Sequence, residues 1–259
     1  MAGQILVKGD GSGMIDDERH KVYRSATTTC MYIMQWSRAD IYNATRGLAR
    51  HMSAPRLAHE KAMFHLLRHI LATPLRGLVL APDTIWNGDR EFEFTVHGRS
   101  DSDYAGNTDD RRSVSGGRVF VNESPTCFRS STQKFVTLSV TEAESAAGVM
   151  VAQDMLHVMR LLVSLGLKVK LPMLLEMDNK GAVDLANNWS VGGRTRHVDV
   201  HNYFLRDLKD EGILRIQHVP GDDNDADIFT KNVTAAIHEK HIPKFVGVDE
   251  YMGGDSALE

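Results

Sequence analysis

The apolar run LPMLLEM, Leu171–Met177, constrains the fold more than any other segment of the chain. A strand with apolar side chains on both faces suits the buried centre of a sheet covered by helices. The segments around it supply the rest of such a sheet. EFEFTVHGRSD alternates Phe92, Phe94 and Val96 against polar neighbours, a period-2 strand pattern. SGGRVFVNES and PTCFRSSTQKFVTLS follow at hairpin spacing. A long helix is predicted from Thr141 to Leu165, with Gly166 as its C-cap. Beyond LPMLLEM, GAVDLANN and VDVHNYFLRDLKDEG read as helices, LRIQHVP as a strand, and DADIFTK opens a last helix. The order describes a mixed α/β sheet flanked by helices.

Upstream the pattern is different. Residues 1–18 are rich in Gly and Asp and are expected to be loosely ordered. Residues 19–75 read as a small helical segment with two strong stretches. In ADIYNATRGLARHM, Ile41, Ala44, Leu48 and Met52 recur at helical spacing, and in HEKAMFHLLRHILA, Phe64, Leu67, Ile70 and Leu71 do so. Pro55 separates the two and Pro74 ends the second. The composition changes around GLVLAP, which places the sheet domain at 76–235 and a C-terminal tail at 236–259.

The whole chain has 42% hydrophobic residues and a formal net charge of −4. That is enough apolar material for a sizeable core, and it argues against wholesale electrostatic capture of nucleic acid. Such a partner would need a local basic patch. Cys30 and Cys127 lack metal-ligand spacing and read as small buried hydrophobes of a reducing compartment. No apolar run reads as a membrane span, and the N-terminus has no signal-peptide core. A cytoplasmic or nuclear protein, not secreted and without a membrane partner, is expected.

Four carboxylates stand at predicted element edges: Asp101 in SDSDYAG, Glu144 in LSVTEAESAA, Asp178 in LLEMDNKGAV and Asp227 in DNDADIFTK. Carboxylates held at such edges can cluster as oxygen ligands for Mg²⁺ while still facing solvent. Each has a plainer reading. Alternation puts Asp101 on the face opposite Phe92, Phe94 and Val96, but Asp103 shares that face, and both also suit a turn before Gly106. Glu144 heads a helical column through Ala147, Val151, Met155, Val158 and Leu162, a core-facing stripe where a lone charge is costly. Thr141 and Glu144 could form a capping box, though Ser139 and Glu142 make an equally good one. Asp178 follows the apolar strand, where ligands of open α/β sheets gather, or it caps the next helix. Asp227 lies in a first helical turn with Asp222, Asp223 and Asp225 nearby, where macrodipole complementation suffices.

Taken together, SDSDYAG, RRSVSGG, STQK, LSVTEAE, MDNKGAV, RTRHVDVHNYFLRD and DADIFTK resemble the ribonuclease H domain of copia-type retrotransposon Pol polyproteins. Matching is nearly gap-free from Gly77 to Lys231. RSATTTCMYIMQWSRADIYNATRGLARHMSAP and HEKAMFHLLRHILATPLRGLVLAP resemble the reverse-transcriptase tail that leads into that domain. The resemblance implies a ribonuclease H-like mixed five-stranded sheet flanked by helices, with Asp101, Glu144, Asp178 and Asp227 as catalytic and metal-binding residues. It implies hydrolysis of the RNA strand of RNA–DNA hybrids with two Mg²⁺ ions about 4 Å apart, Mn²⁺ substituting. In that scheme Asp101 bridges both ions, Glu144 and Asp178 hold the nucleophile-side ion, and Asp227 holds the other. Nothing resembles the polymerase's paired-aspartate motif, so the polymerase portion of a Pol polyprotein would be a partner rather than part of this chain.

Arg111, Arg112, Lys134, Arg194 and Arg196 are candidate backbone contacts for the hybrid, or solvated surface charges. Ser130, Ser131, Thr132 and Gln133 could add hydroxyl and amide contacts, and His197 a substrate-side one. His197 and His201 stand four apart, a spacing able to bind zinc, but no third ligand is evident. Many ribonucleases H carry a histidine in the loop before the last aspartate; here that loop reads VPGDDNDAD, and His218 lies on the preceding strand. The rival to an active nuclease is an inert remnant that folds and at most binds nucleic acid.

Overall fold

The computed structural model describes residues 6–188 and 199–247. The chain forms two compact units, Met1–Val79 with Asn232–Glu259, and Leu80–Lys231. The first unit is helical. Helix α1 (Asp17–Trp36) starts at Asp16, whose carboxylate accepts the Arg19 N–H at 2.9 Å, and α2 (Tyr42–Ala49) and α3 (Leu57–Ala72) follow. Tyr23, Cys30, Ile41, Leu48, Met63 and Leu66 make its core. The expected α2 stripe holds at Ile41, Leu48 and Met52 but not at Ala44, and in α3 Leu67 and Ile70 pack against the core while its buried centre is shifted by one position. Thr45, not Ala44, is buried in α2, and α3 buries Met63 and Leu66 while Phe64 and Leu71 are 44% and 77% exposed. Apolar residues on several sides of α3 left its periodicity with more than one solution.

The second unit is built on a sheet. The aromatic segment splits at Thr95, whose N–H bonds the Asn122 side chain at 2.9 Å. Strand β1 (Glu93–Phe94) lies before the break and β2 (Val96–Asp103) after it. Strands β3 (Val114–Val121) and β4 (Ser124–Thr132) form a hairpin through Asn122 and Glu123, both at positive φ, 47° and 57°. That turn has the twist two-residue hairpins favour. Helix α4 (Val140–Ser164) leads to β5 (Lys168–Val169), which pairs with β1, and to β6 (Met173–Met177), which is the LPMLLEM run. Then come α5 (Lys180–Asn187), α6 (Asp199–Asp210), β7 (Leu214–His218) and the short α7 (Asp227–Thr230).

The sheet order is β4-β3-β2-β6-β7, antiparallel from β4 to β2 and parallel from β2 to β7. This is the mixed five-stranded sheet with flanking helices that the sequence led us to expect. Val151 and Met155 of α4 cover one face, and Phe229 and Thr230 of α7 press on the other. The SGG motif permits both approaches. A Cβ on Gly117 would stand 2.2 Å from Val151 Cγ2, and one on Gly116 would stand 2.5 Å from Thr230 Cγ2. By length and composition α4 could cross a bilayer, which the sequence reading did not anticipate. Its Ala147–Val151–Met155–Val158 stripe is instead packed into the sheet unit's core or buried beside it. After Lys231 the chain returns to the helical unit, where Thr234 caps α8 (Ala235–His241).

Candidate active site

The last rung shared by β2 and β6 is Ser100–Met177. Asp101 and Asp178 therefore each lie one residue beyond it, side by side at the carboxyl ends of adjacent parallel strands. Open α/β sheets present ligand-binding groups at this place. Alternation assigns Asp101 to the α7 face, where His97 and Arg99 also point, while Gly98 and Ser102 face α4. Asp103 lies against the Gly106 turn, which resolves the choice that periodicity left open.

Glu144 reaches the cluster from α4. Ser139 caps that helix and accepts the Glu142 N–H at 3.1 Å, while Glu142 Oε2 accepts the Leu138 N–H at 2.7 Å. Glu142 is thereby committed to the helix start, and Glu144 is left to the site. Asp178 is likewise free of capping, because Asn179 caps α5 by accepting the Ala182 N–H at 2.9 Å. One carboxylate oxygen from each of Asp101, Glu144 and Asp178 lies within 4.8 Å of the others. Asp227 joins them through Lys231, whose Nζ donates to Asp101 Oδ1 and to Asp227 Oδ1, each at 3.0 Å. Thr230 Oγ1 donates to the second Asp101 oxygen.

So many acids in one place hold one another's protons. Burial pushes the Glu144 carboxyl up to about 9, assisted by Asp101 and Asp178. Burial and then Asp101 push Asp227 up to about 7 against the pull of Lys231, and the same two causes raise Asp178. Burial disfavours the Lys231 charge, but Asp101 and Asp227 outweigh it and raise its affinity for a proton.

The donor set fits a hard divalent cation. All the donors are oxygens, and their spacing is little more than twice an Mg–O bond of about 2.1 Å. The best sign is Glu144 itself, which is 3% exposed. Its Oε1 accepts from the Ser102 N–H and hydroxyl at 3.2 and 3.0 Å, while its buried Oε2 has no partner. A buried carboxylate oxygen left unsatisfied is costly, and a cation would satisfy it.

The expected substrate contacts are placed less uniformly. Arg111 and Arg112 are exposed on the turn after β2, Arg112 beside Asp110, and Lys134 is exposed after β4. The Ser131 hydroxyl lies 3.5 Å from Met150 Sδ, and Ser130 and Thr132 are half-buried. Gln133 departs from expectation. It is buried, and its Nε2 donates to Ser115 Oγ at 2.8 Å and to the Ala143 carbonyl at 3.0 Å, tying the β4–α4 loop to the helix start. Arg194, Arg196 and His197 lie outside the described residues. His201, the other half of the suggested zinc pair, stacks on Phe135 at 5.6 Å between centroids. His218 donates Nε2–H to the Asp178 carbonyl at 3.0 Å. Sequence reasoning missed Lys231, Thr230 and Ser102 as site residues. Only Lys231 carried a signal, its i+4 spacing from Asp227.

No protein-family model matches the chain. It is 30% identical over 226 residues to the retrovirus-related Pol polyprotein from transposon RE1 of Arabidopsis thaliana, a match covering 87% of this chain and 15% of that protein. It is 34% identical over 125 residues to a secreted RxLR effector protein of Plasmopara viticola, covering 48% of this chain and 82% of that one. Among solved structures it is similar to an RNase H1 isolated from compost by a metagenomic approach, with 17% identity and a TM-score of 0.41 over 58% of this chain and 96% of that one. The chain thus spans about 15% of the length of the polyproteins it matches across most of its own length. Over most of its length the chain is a relative of one segment of the retrovirus-related Pol polyproteins of transposons.

Proposed function

We propose that the sheet unit is a divalent-metal-dependent endonuclease that hydrolyses the RNA strand of RNA–DNA hybrids. The observation that carries this reading is the convergence of Asp101, Glu144 and Asp178 with a buried, partnerless Glu144 oxygen. Bound Mg²⁺ or Mn²⁺ would activate water and neutralise charge on the scissile phosphate. Asp101, with both oxygens on the α7 face, and Glu144 and Asp178 would hold the nucleophile-side cation, and Asp101 with Asp227 would hold the leaving-group side. Ser102 fixes the Glu144 carboxylate, and Thr230 fixes that of Asp101, so both are oriented before substrate arrives. A bond forms from water oxygen to phosphorus and the P–O3′ bond breaks, leaving a 5′-phosphate and a 3′-hydroxyl. Exposed Arg111, Arg112 and Lys134 supply positive charge for the backbone of the hybrid.

In the helical unit, Tyr32 and Trp36 stand one turn apart on α1 and are both exposed, which suits contact with a polymerase portion of a Pol polyprotein. The deciding experiment is cleavage of a labelled hybrid by the purified chain with Mg²⁺, Mn²⁺ or chelator. Metal-dependent cleavage is expected. A hybrid left intact across a range of both metals overturns the enzyme reading and leaves the inert remnant.

A further inference from the structure

Asp227 stands apart from the other three acids. The metal-ready oxygens of Asp101, Glu144 and Asp178 face one another, whereas Asp227 lies outside that set and meets Asp101 where the Lys231 ammonium donates to both. Lys231 Nζ lies 3.0 Å from an oxygen of each aspartate, the position a cation shared by Asp101 and Asp227 would take. We propose that Lys231 is a built-in occupant of the second cation position. The domain then loads one divalent ion at Asp101, Glu144 and Asp178, and a second at Asp101 and Asp227 only by displacing the lysine.

Two features make displacement feasible. The Lys231 side chain is 38% exposed and attached to the end of a one-turn helix, so its ammonium can move into water, whereas Asp101 is fully buried. An ammonium and a divalent ion within a few ångströms of each other repel strongly even when screened by solvent, so both cannot keep the same oxygens. Without metal, the lysine offsets the repulsion between Asp101 and Asp227. With metal, it becomes a competitor for the second ion. The inference rests on the metal-site reading above, and its test separates the two.

The full chain, free of nucleic acid, is titrated with Mn²⁺ by calorimetry and with Mg²⁺ by NMR of the lysine ammonium ¹⁵Nζ resonances. In the wild type we expect one tighter and one weaker Mn²⁺ step, with the Lys231 resonance moving in the weaker step and not in the first. Lys231→Met should tighten the weaker step about tenfold or more and lower the melting temperature in chelator, and Lys231→Arg should keep the step weak. Unchanged binding in Lys231→Met, or a Lys231 resonance that moves with the first ion, overturns the inference while leaving the nuclease reading intact. No Mn²⁺ bound by any of the three proteins overturns both. The NMR arm uses the wild type alone, so it decides the matter even if Lys231→Met fails to fold.

Discussion

Arg99 reaches from β2 to the buried Asp225 carboxylate, Nη1 to Oδ2 at 3.0 Å, and also donates to the Asp223 carbonyl at 2.8 Å. Two residues on, the same strand carries Asp101; two residues past Asp225, α7 begins with Asp227. One ion pair therefore sets the spacing between two acids far apart in sequence. Arg118 holds the other side of Asp225 at 3.1 and 3.2 Å, and Glu176 holds Arg99 and His97.

Asp225→Asn should consequently be harmful without touching a metal. Asp225 is 0% exposed, and losing its charge leaves Arg99 and Arg118 facing a neutral amide. Breaking a buried pair in this way costs about 3–5 kcal/mol. Urea unfolding should show that loss, and hybrid cleavage should fall because Asp227 is no longer held in place. A variant with wild-type stability would show that the loop is positioned by something else.

How far the sequence could be read is clearest on α4. The helical column of Glu144, Ala147, Val151 and Met155 is a local property that places Glu144 at the head of a core-facing stripe, whereas the commitment of Glu142 to the helix start depends on its bond to the Leu138 N–H. The rivalry between Asp101 and Asp103 was beyond alternation, because both share a face. The Gly106 turn and the Ser100–Met177 rung decide it. Asp178 had a capping role in competition, which Asn179 takes over. Lys231 could be linked to Asp227 by helical spacing but not to Asp101, 130 residues away. Gln133 looked like surface chemistry because its partners, Ser115 and Ala143, lie on two other elements.

The roles of the two glutamates on α4 can be separated directly. Glu144→Gln is expected to abolish cleavage. Glu142→Gln should retain it and cost no more than about 1 kcal/mol, since an amide oxygen can still accept the Leu138 N–H. Activity lost in Glu142→Gln and kept in Glu144→Gln would reverse the assignment of the two.

The metal-free protein should lose stability as pH rises. Glu144 binds its proton up to about 9 when folded, against 4.5 as an ordinary glutamate, and Asp227 up to about 7 against 3.8. Between those limits the folded state holds more protons than the unfolded one, so raising pH favours unfolding. Melting temperature in chelator should therefore decline from near pH 5 towards pH 9, and Glu144→Gln should flatten the upper part of that decline. A flat profile for the wild type would mean the carboxylates do not repel as their packing implies.

Asp178→Asn tests the site from the stability side. Burial and the neighbouring Asp101 charge both raise the Asp178 carboxyl, so its ionised form strains the folded state when no cation is present. Neutralising it should raise the melting temperature in chelator while eliminating cleavage, a trade between stability and activity common at charged sites. Millimolar Mg²⁺ should then stabilise the wild type more than the variant, because binding to the folded state alone adds stability by mass action. A capping role would give a different pattern, since Asn caps as well as Asp and neither effect would depend on metal. That role already belongs to Asn179. Melting curves of both proteins with chelator and with Mg²⁺ decide the question. Equal Mg²⁺ responses would show that Asp178 is no ligand, leaving Asp101 and Glu144 too few acids to hold the nucleophile-side cation as drawn.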